Sequence, residues 1–166
     1  MSKRIGIIVG RFQVSKLHAG HKYLISEAIK IFDEVHLFLG ITKGNVLDKR
    51  NPLPLAARRT AILEDFPQLY GMIHSIEDIG NWPLWVKQLD DLLEPLSKDA
   101  KVCIFGSRDS IVLRYTENGG KYEPVYLDGI PEESGTKSRE EVLKTFEPTW
   151  DLRDRNLAIW LSSKIG

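Results

Sequence analysis

A continuous apolar run near the start of the chain constrains the fold more than any other feature. Residues 5–9 are β-branched except for one glycine, and the run ends at Gly10. A strand with no polar alternation is buried on both faces, as in the centre of a parallel sheet. Residues 20–32 then place apolar side chains at helical spacing, and residues 35–40 form a second apolar run. Strand, helix and strand in succession predict a βαβ unit.

The same alternation continues along the rest of the chain. Apolar spacing predicts helices at residues 54–66, 83–94, 138–146 and 152–163, and strands at residues 72–76, 102–105 and 124–127. Two stretches rich in Gly, Asn and Lys, residues 42–51 and 116–121, are predicted to be loops. Alternating elements predict an α/β fold with a Rossmann-like, mostly parallel sheet of about five strands flanked by helices. At 166 residues the chain is predicted to be a single domain, 1–166, with residues 147–166 as a C-terminal helical extension.

Charge and cysteine content narrow the possible partners. The chain has 23 Lys and Arg against 23 Asp and Glu, whereas proteins that bind the nucleic-acid backbone usually carry a basic excess. The one cysteine, Cys103, allows no internal disulfide and is typical of a reducing compartment. No apolar run approaches the roughly 18 residues of a spanning helix, and the N-terminal run is too short for a signal peptide. We expect a cytoplasmic protein with no nucleic-acid or membrane partner, and a homo-oligomer is left open.

The segment after the first strand carries the strongest chemical pattern. Ligands of an open α/β sheet bind beyond the carboxyl ends of its strands. This segment reads Gly10-Arg11-Phe12-Gln13-Val14-Ser15-Lys16-Leu17-His18-Ala19-Gly20-His21. A helix N-terminus attracts anions, a glycine there lets a phosphate approach the backbone, and the spacing of three puts His18 and His21 on one side. With Arg11 and Lys16 nearby, the segment predicts a pocket for concentrated negative charge. A zinc site is disfavoured, because the single cysteine stands alone and no HExxH motif is present.

Two motifs resemble a known family. Gly10-Arg11-Phe12-Gln13 followed by His18-Ala19-Gly20-His21 resembles the signature of the HxGH nucleotidyltransferase superfamily, in the form found in archaeal-type nicotinamide mononucleotide adenylyltransferases. The second signature of the superfamily, SxTxxR, is matched by Ser134-Gly135-Thr136-Lys137-Ser138-Arg139. The resemblance implies that ATP and nicotinamide mononucleotide react to give NAD and pyrophosphate. It also implies that Mg²⁺ is carried in with ATP, and no acidic cluster in the sequence reads as a dedicated metal site.

The resemblance also implies a set of site residues. The implied catalytic residues are His18, His21, Arg11, Lys16 and Arg139. The implied ATP-binding residues are Gly10, Arg11, Phe12, Gly20, His21, Gly106, Ser107, Arg108, Ser134, Gly135, Thr136 and Arg139. Asn51 and Arg58 match the NPF…R segment of the family, and Asp78 with Trp85 match its DI…W segment. These four residues and Trp82 are implied to bind the mononucleotide, with one of the two tryptophans stacked on the nicotinamide ring. A purely structural role for Trp85, as a core aromatic residue, is left open.

Some alternatives remain at this point. The loop before His18 is two residues longer than in the family, which leaves the placement of Lys16 open. The acceptor could be another phosphorylated small molecule, with nicotinate mononucleotide the next candidate, and CTP could replace ATP. In a different class, the protein could be a catalytically inactive nucleotide-binding regulator. The sequence has no Walker A motif, no GxGxxG fingerprint and no GxSxG elbow.

Overall fold

The structure, a computed structural model, describes residues 3–108 and 110–131. Its strands are β1 (Lys3–Gly10), β2 (Glu34–Ile41), β3 (Ile73–Glu77), β4 (Ala100–Gly106) and β5 (Glu123–Tyr126). Its α-helices are α1 (Ala19–Ile31), α2 (Leu55–Asp65), α3 (Trp82–Ser97) and α4 (Ile111–Glu117). Two short 3-10 helices, Lys43–Asn45 and Pro67–Leu69, lie in the connections on either side of α2. The predicted helices at 138–146 and 152–163, and the extension 147–166, lie outside the described residues.

The strands form one parallel sheet in the order β3-β2-β1-β4-β5. This confirms the predicted α/β, Rossmann-like fold. The chain runs outward from β1 through β2 to β3, and then crosses back to add β4 and β5 on the other side of β1. The connection that leaves β1 therefore runs towards one edge of the sheet, and the connection that leaves β4 runs towards the other. A crevice opens at such a point beyond the carboxyl ends of the strands, and ligands bind there in open α/β sheets.

Successive residues of each strand face opposite sides of the sheet, and each side is covered by its own pair of helices. Ile8, Leu37 and Phe105 pack with residues of α1 and α2 in one buried cluster. Their neighbours Ile7, Phe38 and Ile104 pack with residues of α3 and α4 in the other. Because both faces are buried, the central strands contain the continuous apolar runs from which the sheet was predicted.

The structure differs from the predicted elements at two places. Helix α4 lies in a segment for which no helix was predicted, and it overlaps the loop predicted at 116–121. It has 7 residues, too few to show helical periodicity, and it begins where the Ser110 side chain accepts a hydrogen bond from the N–H of Val112. Helix α3 was predicted to end at residue 94 but continues through Pro95 to Ser97. A proline in the last turn removes only one intrahelical hydrogen bond there. Within the described ranges, no helix has the length and apolar character needed to cross a membrane.

Candidate functional site

Helix α1 begins at a pair of histidines. His18 is the N-cap, and its Nδ1 accepts a 3.4 Å hydrogen bond from the backbone N–H of His21. The two imidazole rings are stacked, with centroids 3.6 Å apart and an interplanar angle of 18°. Gly20, which precedes His21 in the chain, is buried, and a Cβ atom there would lie 3.0 Å from the carbonyl oxygen of Pro131 and 3.2 Å from Cε1 of His18. A larger residue at this position would therefore require these neighbours to shift by a few tenths of an ångström.

His21 is held in its neutral form. Its ring also packs against Phe12, with centroids 4.7 Å apart. Its Nδ1 is buried and has no hydrogen-bond partner among the described residues. Burial, and then the neighbouring ring of His18, lower the pKa of His21 from 6.5 to about 3. At neutral pH this imidazole therefore offers one donor and one acceptor instead of a positive charge.

The loop between β1 and α1 holds a strained aromatic residue. Phe12 has a φ of 49°, a left-handed conformation that non-glycine residues rarely adopt. A Cβ atom at Gly10 would lie 2.9 Å from its ring, so the aromatic ring covers the end of β1 closely. Gln13 fixes the loop from the other side, because its Oε1 accepts a 3.0 Å hydrogen bond from the N–H of Leu53. Strained residues of this kind persist where the surrounding structure fixes them, often at functional sites.

Arg11 joins the segments that follow three neighbouring strands. Its Nη1 donates to Oδ1 of Asn51 over 2.7 Å, and its Nη2 donates to Oδ2 of Asp78 over 3.1 Å. The other carboxylate oxygen of Asp78 accepts from the N–H of Gly80 over 3.0 Å. The three side chains were predicted as site residues from separate motifs. The structure brings them into direct contact, because the carboxyl ends of β1, β2 and β3 lie at one edge of the sheet.

Arg58, which the resemblance implies to bind the mononucleotide, is only 2% exposed in the structure. Its Nη1 donates 2.7 Å hydrogen bonds to the carbonyl oxygens of Arg11 and Gly40, at the ends of β1 and β2. Burial, and then repulsion from Arg11, lower the pKa of the Arg58 guanidinium to about 10, so it remains a cation at neutral pH. In this arrangement the side chain holds the backbone beneath the site instead of extending into it.

A cavity of about 330 Å³ lies beyond the carboxyl ends of β1, β2 and β3. It is lined by Val9, Gly10, Arg11, Gly40, Ile76, Asp78, Gly80, Asn81, Trp82, Trp85 and Ile111, and we call it the tryptophan cavity. The rings of Trp82 and Trp85 meet edge to face, with centroids 5.7 Å apart and an interplanar angle of 78°. Trp85 is 8% exposed and also belongs to the core, whereas Trp82 is 40% exposed at the start of α3. Trp85 is thus both a core aromatic and a cavity wall.

A second cavity of about 540 Å³ adjoins the tryptophan cavity and shares Arg11, Asp78 and Gly80 with it. It is also lined by Thr42, Lys43, Asp48, Arg50, Asn51 and Ile79. Lys43 and Arg50 are exposed, and sequence reasoning missed them. The signal that could have found them is the position of residues 42–51 directly after β2, at the edge of the sheet where ligands bind.

The remaining predicted residues are placed less directly. Gly106 ends β4, and the carbonyl oxygen of Ser107 accepts a 3.1 Å hydrogen bond from the N–H of Ser110 at the start of α4. The guanidinium of Arg108 lies 4.8 Å over the ring of Tyr126. Lys16 is exposed in the loop after β1. Ser134, Gly135, Thr136 and Arg139 lie outside the described residues.

The described residues also bear on metal binding. Across residues 3–108 and 110–131, no three His, Cys, Asp or Glu side chains form a group that could hold a metal ion. This part of the chain therefore supplies no ready-made cage for a divalent cation.

Solved structures of known proteins share the fold of this chain. No protein-family model and no curated protein matches the sequence. The chain is similar to the solved structure of a bifunctional NMN adenylyltransferase/ADP ribose pyrophosphatase from Francisella tularensis, with a TM-score of 0.67 and 18% identity over 86% of this chain and 43% of that one. It is also similar to the NadR protein in complex with NAD and AMP-PNP, with a TM-score of 0.60 and 20% identity over 90% of this chain and 44% of that one.

The fold and the position of the site thus agree with each other, and both are typical of α/β proteins with a Rossmann-like fold. The described part of the chain has the Rossmann-like fold that these two proteins share with it, and its polar and aromatic residues gather at the edge where that fold binds ligands. The chain spans less than half the length of the solved structures that it matches. The Francisella protein was also solved with AMP and a manganese ion.

Proposed function

We propose that this protein is a nucleotidyltransferase that joins ATP and nicotinamide mononucleotide to form NAD and pyrophosphate. The observation that carries the proposal is the arrangement around β1. One loop leads from Arg11, on the wall of a cavity with two tryptophans, to the stacked histidines at the start of α1. This loop thus joins a cavity suited to an aromatic base, whose tryptophans belong to α3, to a helix start suited to a phosphate chain. The similarity to NMN adenylyltransferase structures supports the same reaction.

The proposed chemistry needs no general base. A phosphate oxygen of the mononucleotide, already an anion at neutral pH, attacks the α-phosphorus of ATP in line. A bond forms between this oxygen and the α-phosphorus, the bond to the bridging oxygen of the β-phosphate breaks, and pyrophosphate leaves with the electron pair. The protein has to hold two mutually repelling anions in position and stabilise the charge that develops between them.

The residues of the loop and of α1 would divide this work. His21, as a neutral imidazole, donates a hydrogen bond to the α-phosphate, and the positive end of the helix dipole at the start of α1 adds to the attraction. His18 acts beside it on the bridging oxygen. Arg11, Lys16 and Arg139 offset the charge of the triphosphate, and Mg²⁺ enters with ATP as part of the substrate. Arg58 acts indirectly, by holding the backbone of Arg11.

The acceptor base would occupy the tryptophan cavity. Its walls are mostly apolar, and the indole rings of Trp82 and Trp85 offer faces on which a flat cationic ring is stabilised. A cavity of about 330 Å³ lies within the range of sites for small ligands. The carboxylate of Asp78 and the guanidinium of Arg11 form its polar edge, and the amide of Asn51 in the second cavity holds Arg11 in place.

The proposal is tested by incubating the protein with ATP and a panel of mononucleotides, and identifying the products by mass. We expect NAD from nicotinamide mononucleotide. His21→Ala should lower turnover by about 10²–10³, the usual cost of removing one preorganised donor at developing charge. Lys22→Ala, an exposed neighbour on α1, is the matched control and should leave turnover unchanged.

The other outcomes separate the alternatives. A product from nicotinate mononucleotide, or from CTP in place of ATP, would move the proposal to another substrate within the same class. Tight binding of nucleotides without any product would indicate a regulator. If product forms and His21→Ala turns over like the wild type, the roles assigned at the start of α1 are wrong.

A further inference from the structure

The imidazole of His21 has two aromatic neighbours. The ring of His18 is stacked on it with centroids 3.6 Å apart, and the ring of Phe12 lies 4.7 Å from it at an interplanar angle of 35°. Both histidines belong to the first turn of α1, whereas Phe12 comes from the loop that follows β1. Phe12 is therefore a contact through which the end of the sheet can fix the plane of this imidazole.

Phe12 holds its ring in place with a strained backbone. Its φ of 49° is a conformation that glycine adopts readily and a bulky residue rarely does. The resemblance implies that Phe12 binds ATP, yet the residue is 6% exposed and packs in the buried cluster that the sheet forms with α1 and α2. The ring also fills the space beside Gly10, where a Cβ atom would lie 2.9 Å from it. The ring is thus placed to act through contacts inside the protein.

The residues on either side of Phe12 are both tied to the chain around the start of α2. The carbonyl oxygen of Arg11 accepts a 2.7 Å hydrogen bond from the guanidinium of Arg58, and Oε1 of Gln13 accepts a 3.0 Å hydrogen bond from the N–H of Leu53. Arg58, Gln13 and Leu53 are all buried. Because a buried polar group that loses its partner is costly, the backbone cannot relax on either side of Phe12 without a penalty. The strain is therefore maintained by the surrounding structure, as is common at functional sites.

We propose that Phe12 is a positioning residue for His21, and that its ring fixes the plane of the imidazole that donates to the α-phosphate. This inference rests on the proposed function and adds a residue to it. A hydrogen bond to developing charge depends on the direction of its donor, so an imidazole that turns freely stabilises the transition state less. Phe12 touches no reacting atom in this arrangement and acts only through His21.

The first test is steady-state kinetics of Phe12→Leu, which keeps an apolar side chain and removes the aromatic ring. We expect kcat to fall by about tenfold and the KM for ATP to stay within about twofold of the wild type, because the lost effect belongs to the transition state. Phe32→Leu is the matched control and should keep the wild-type kcat. Phe32 belongs to the same buried cluster, but it lies at the other end of α1 and packs edge to face on Phe105.

The second test combines Phe12→Leu with His21→Ala. If Phe12 acts only through His21, its substitution has no further effect on kcat once the imidazole is gone, so the two losses are not additive. A merely structural role would lower kcat in both backgrounds. Phe12→Gly, in which glycine suits the left-handed backbone, is the second variant should Phe12→Leu fail to fold. Circular dichroism verifies the fold of each protein.

The third test needs no turnover. Carbon relaxation of the imidazole C–H groups, measured by NMR, reports how freely the His21 ring moves on the fast timescale. We expect a more mobile ring in Phe12→Leu than in the wild type, and an unchanged ring in Phe32→Leu.

Three kinetic outcomes overturn the inference. They are additive losses in the double variant, a raised KM for ATP with an unchanged kcat in Phe12→Leu, and equal losses of kcat in Phe12→Leu and Phe32→Leu. An imidazole that is equally ordered in the wild type and in Phe12→Leu overturns it as well. If the wild type forms no NAD, the proposed function fails, and the ordering of His21 by Phe12 then stands or falls on the relaxation measurement alone.

Discussion

The guanidinium of Arg58 donates a 2.7 Å hydrogen bond to the carbonyl oxygen of Arg11, so a buried cation fixes the backbone of an exposed one. A second bond of the same length reaches Gly40 at the end of β2. No carboxylate pairs with Arg58 within the described residues, and two backbone dipoles alone compensate its burial. The ends of β1 and β2 thus depend on one side chain of α2, which makes the position of Arg11 a property of the packing beneath the site.

This arrangement predicts a stability difference between two adjacent arginines. Arg58→Met should lower the free energy of unfolding by about 2 kcal/mol, because two carbonyl oxygens lose a charged donor and the gain from removing a buried charge offsets only part of that loss. Arg59→Met, on the exposed side of α2, should change it by less than about 0.5 kcal/mol. Urea unfolding measures both. Equal stability of the two variants would mean that the strand ends hold their positions without Arg58.

The low pKa of His21 predicts a dependence of stability on pH. In the unfolded chain the imidazole takes up a proton near pH 6.5, whereas in the folded protein it does so only near pH 3. Unfolding therefore takes up a proton between these values, and the free energy of unfolding falls as the pH is lowered from about 6.5 towards about 3. His21→Asn should reduce this slope by about 1 kcal/mol per pH unit. Urea unfolding at several pH values checks it, and parallel slopes in the two proteins would contradict a buried neutral imidazole.

Substitution of each of the two tryptophans should have a different effect on stability. Trp85→Ala should lower the free energy of unfolding by about 3 kcal/mol, because this ring is part of the core, whereas Trp82→Ala should cost less than about 1 kcal/mol. The tryptophan that stacks on the acceptor ring should also contribute about 1–2 kcal/mol to mononucleotide affinity, with ATP affinity unchanged. Calorimetric titration of Trp82→Ala and of the milder Trp85→Phe identifies it. Wild-type affinity in both variants would place the acceptor ring elsewhere.

A further prediction concerns the second motif, which lies outside the described residues. Arg139→Ala should raise the KM for ATP more than the KM for the mononucleotide, because the SGTKSR segment resembles a triphosphate-binding turn. Steady-state kinetics with each substrate varied in turn measures the two constants. Lys137→Ala, in the same segment, is the control for a general loss of positive charge. A rise confined to the KM for the mononucleotide would reverse the assignment of the two substrates to their sites.

Much of the fold follows from local patterns. The apolar runs of β1, β2 and β4 predict buried parallel strands, because a strand covered on both faces has no polar alternation. The histidine pair could be placed at the start of α1, because its position after the first strand is a matter of chain order. Helix α4 could not, since its short length and its serine cap give no periodic signal.

The sequence by itself determined the order along the chain of the five strands and of helices α1, α2 and α3, because backbone periodicity is set by neighbouring residues. Only the tertiary structure decided which distant side chains meet. Arg11 contacts partners 40 and 67 positions away in the chain, and Arg58 reaches it across 47 positions. The motif resemblance implied that Arg58 binds the mononucleotide, and the tertiary structure shows that its side chain is buried against two carbonyl groups. Apolar spacing indicates which hydrophobic side chains are buried, but it does not show the burial of a charged side chain such as Arg58, which depends on every element that packs around it.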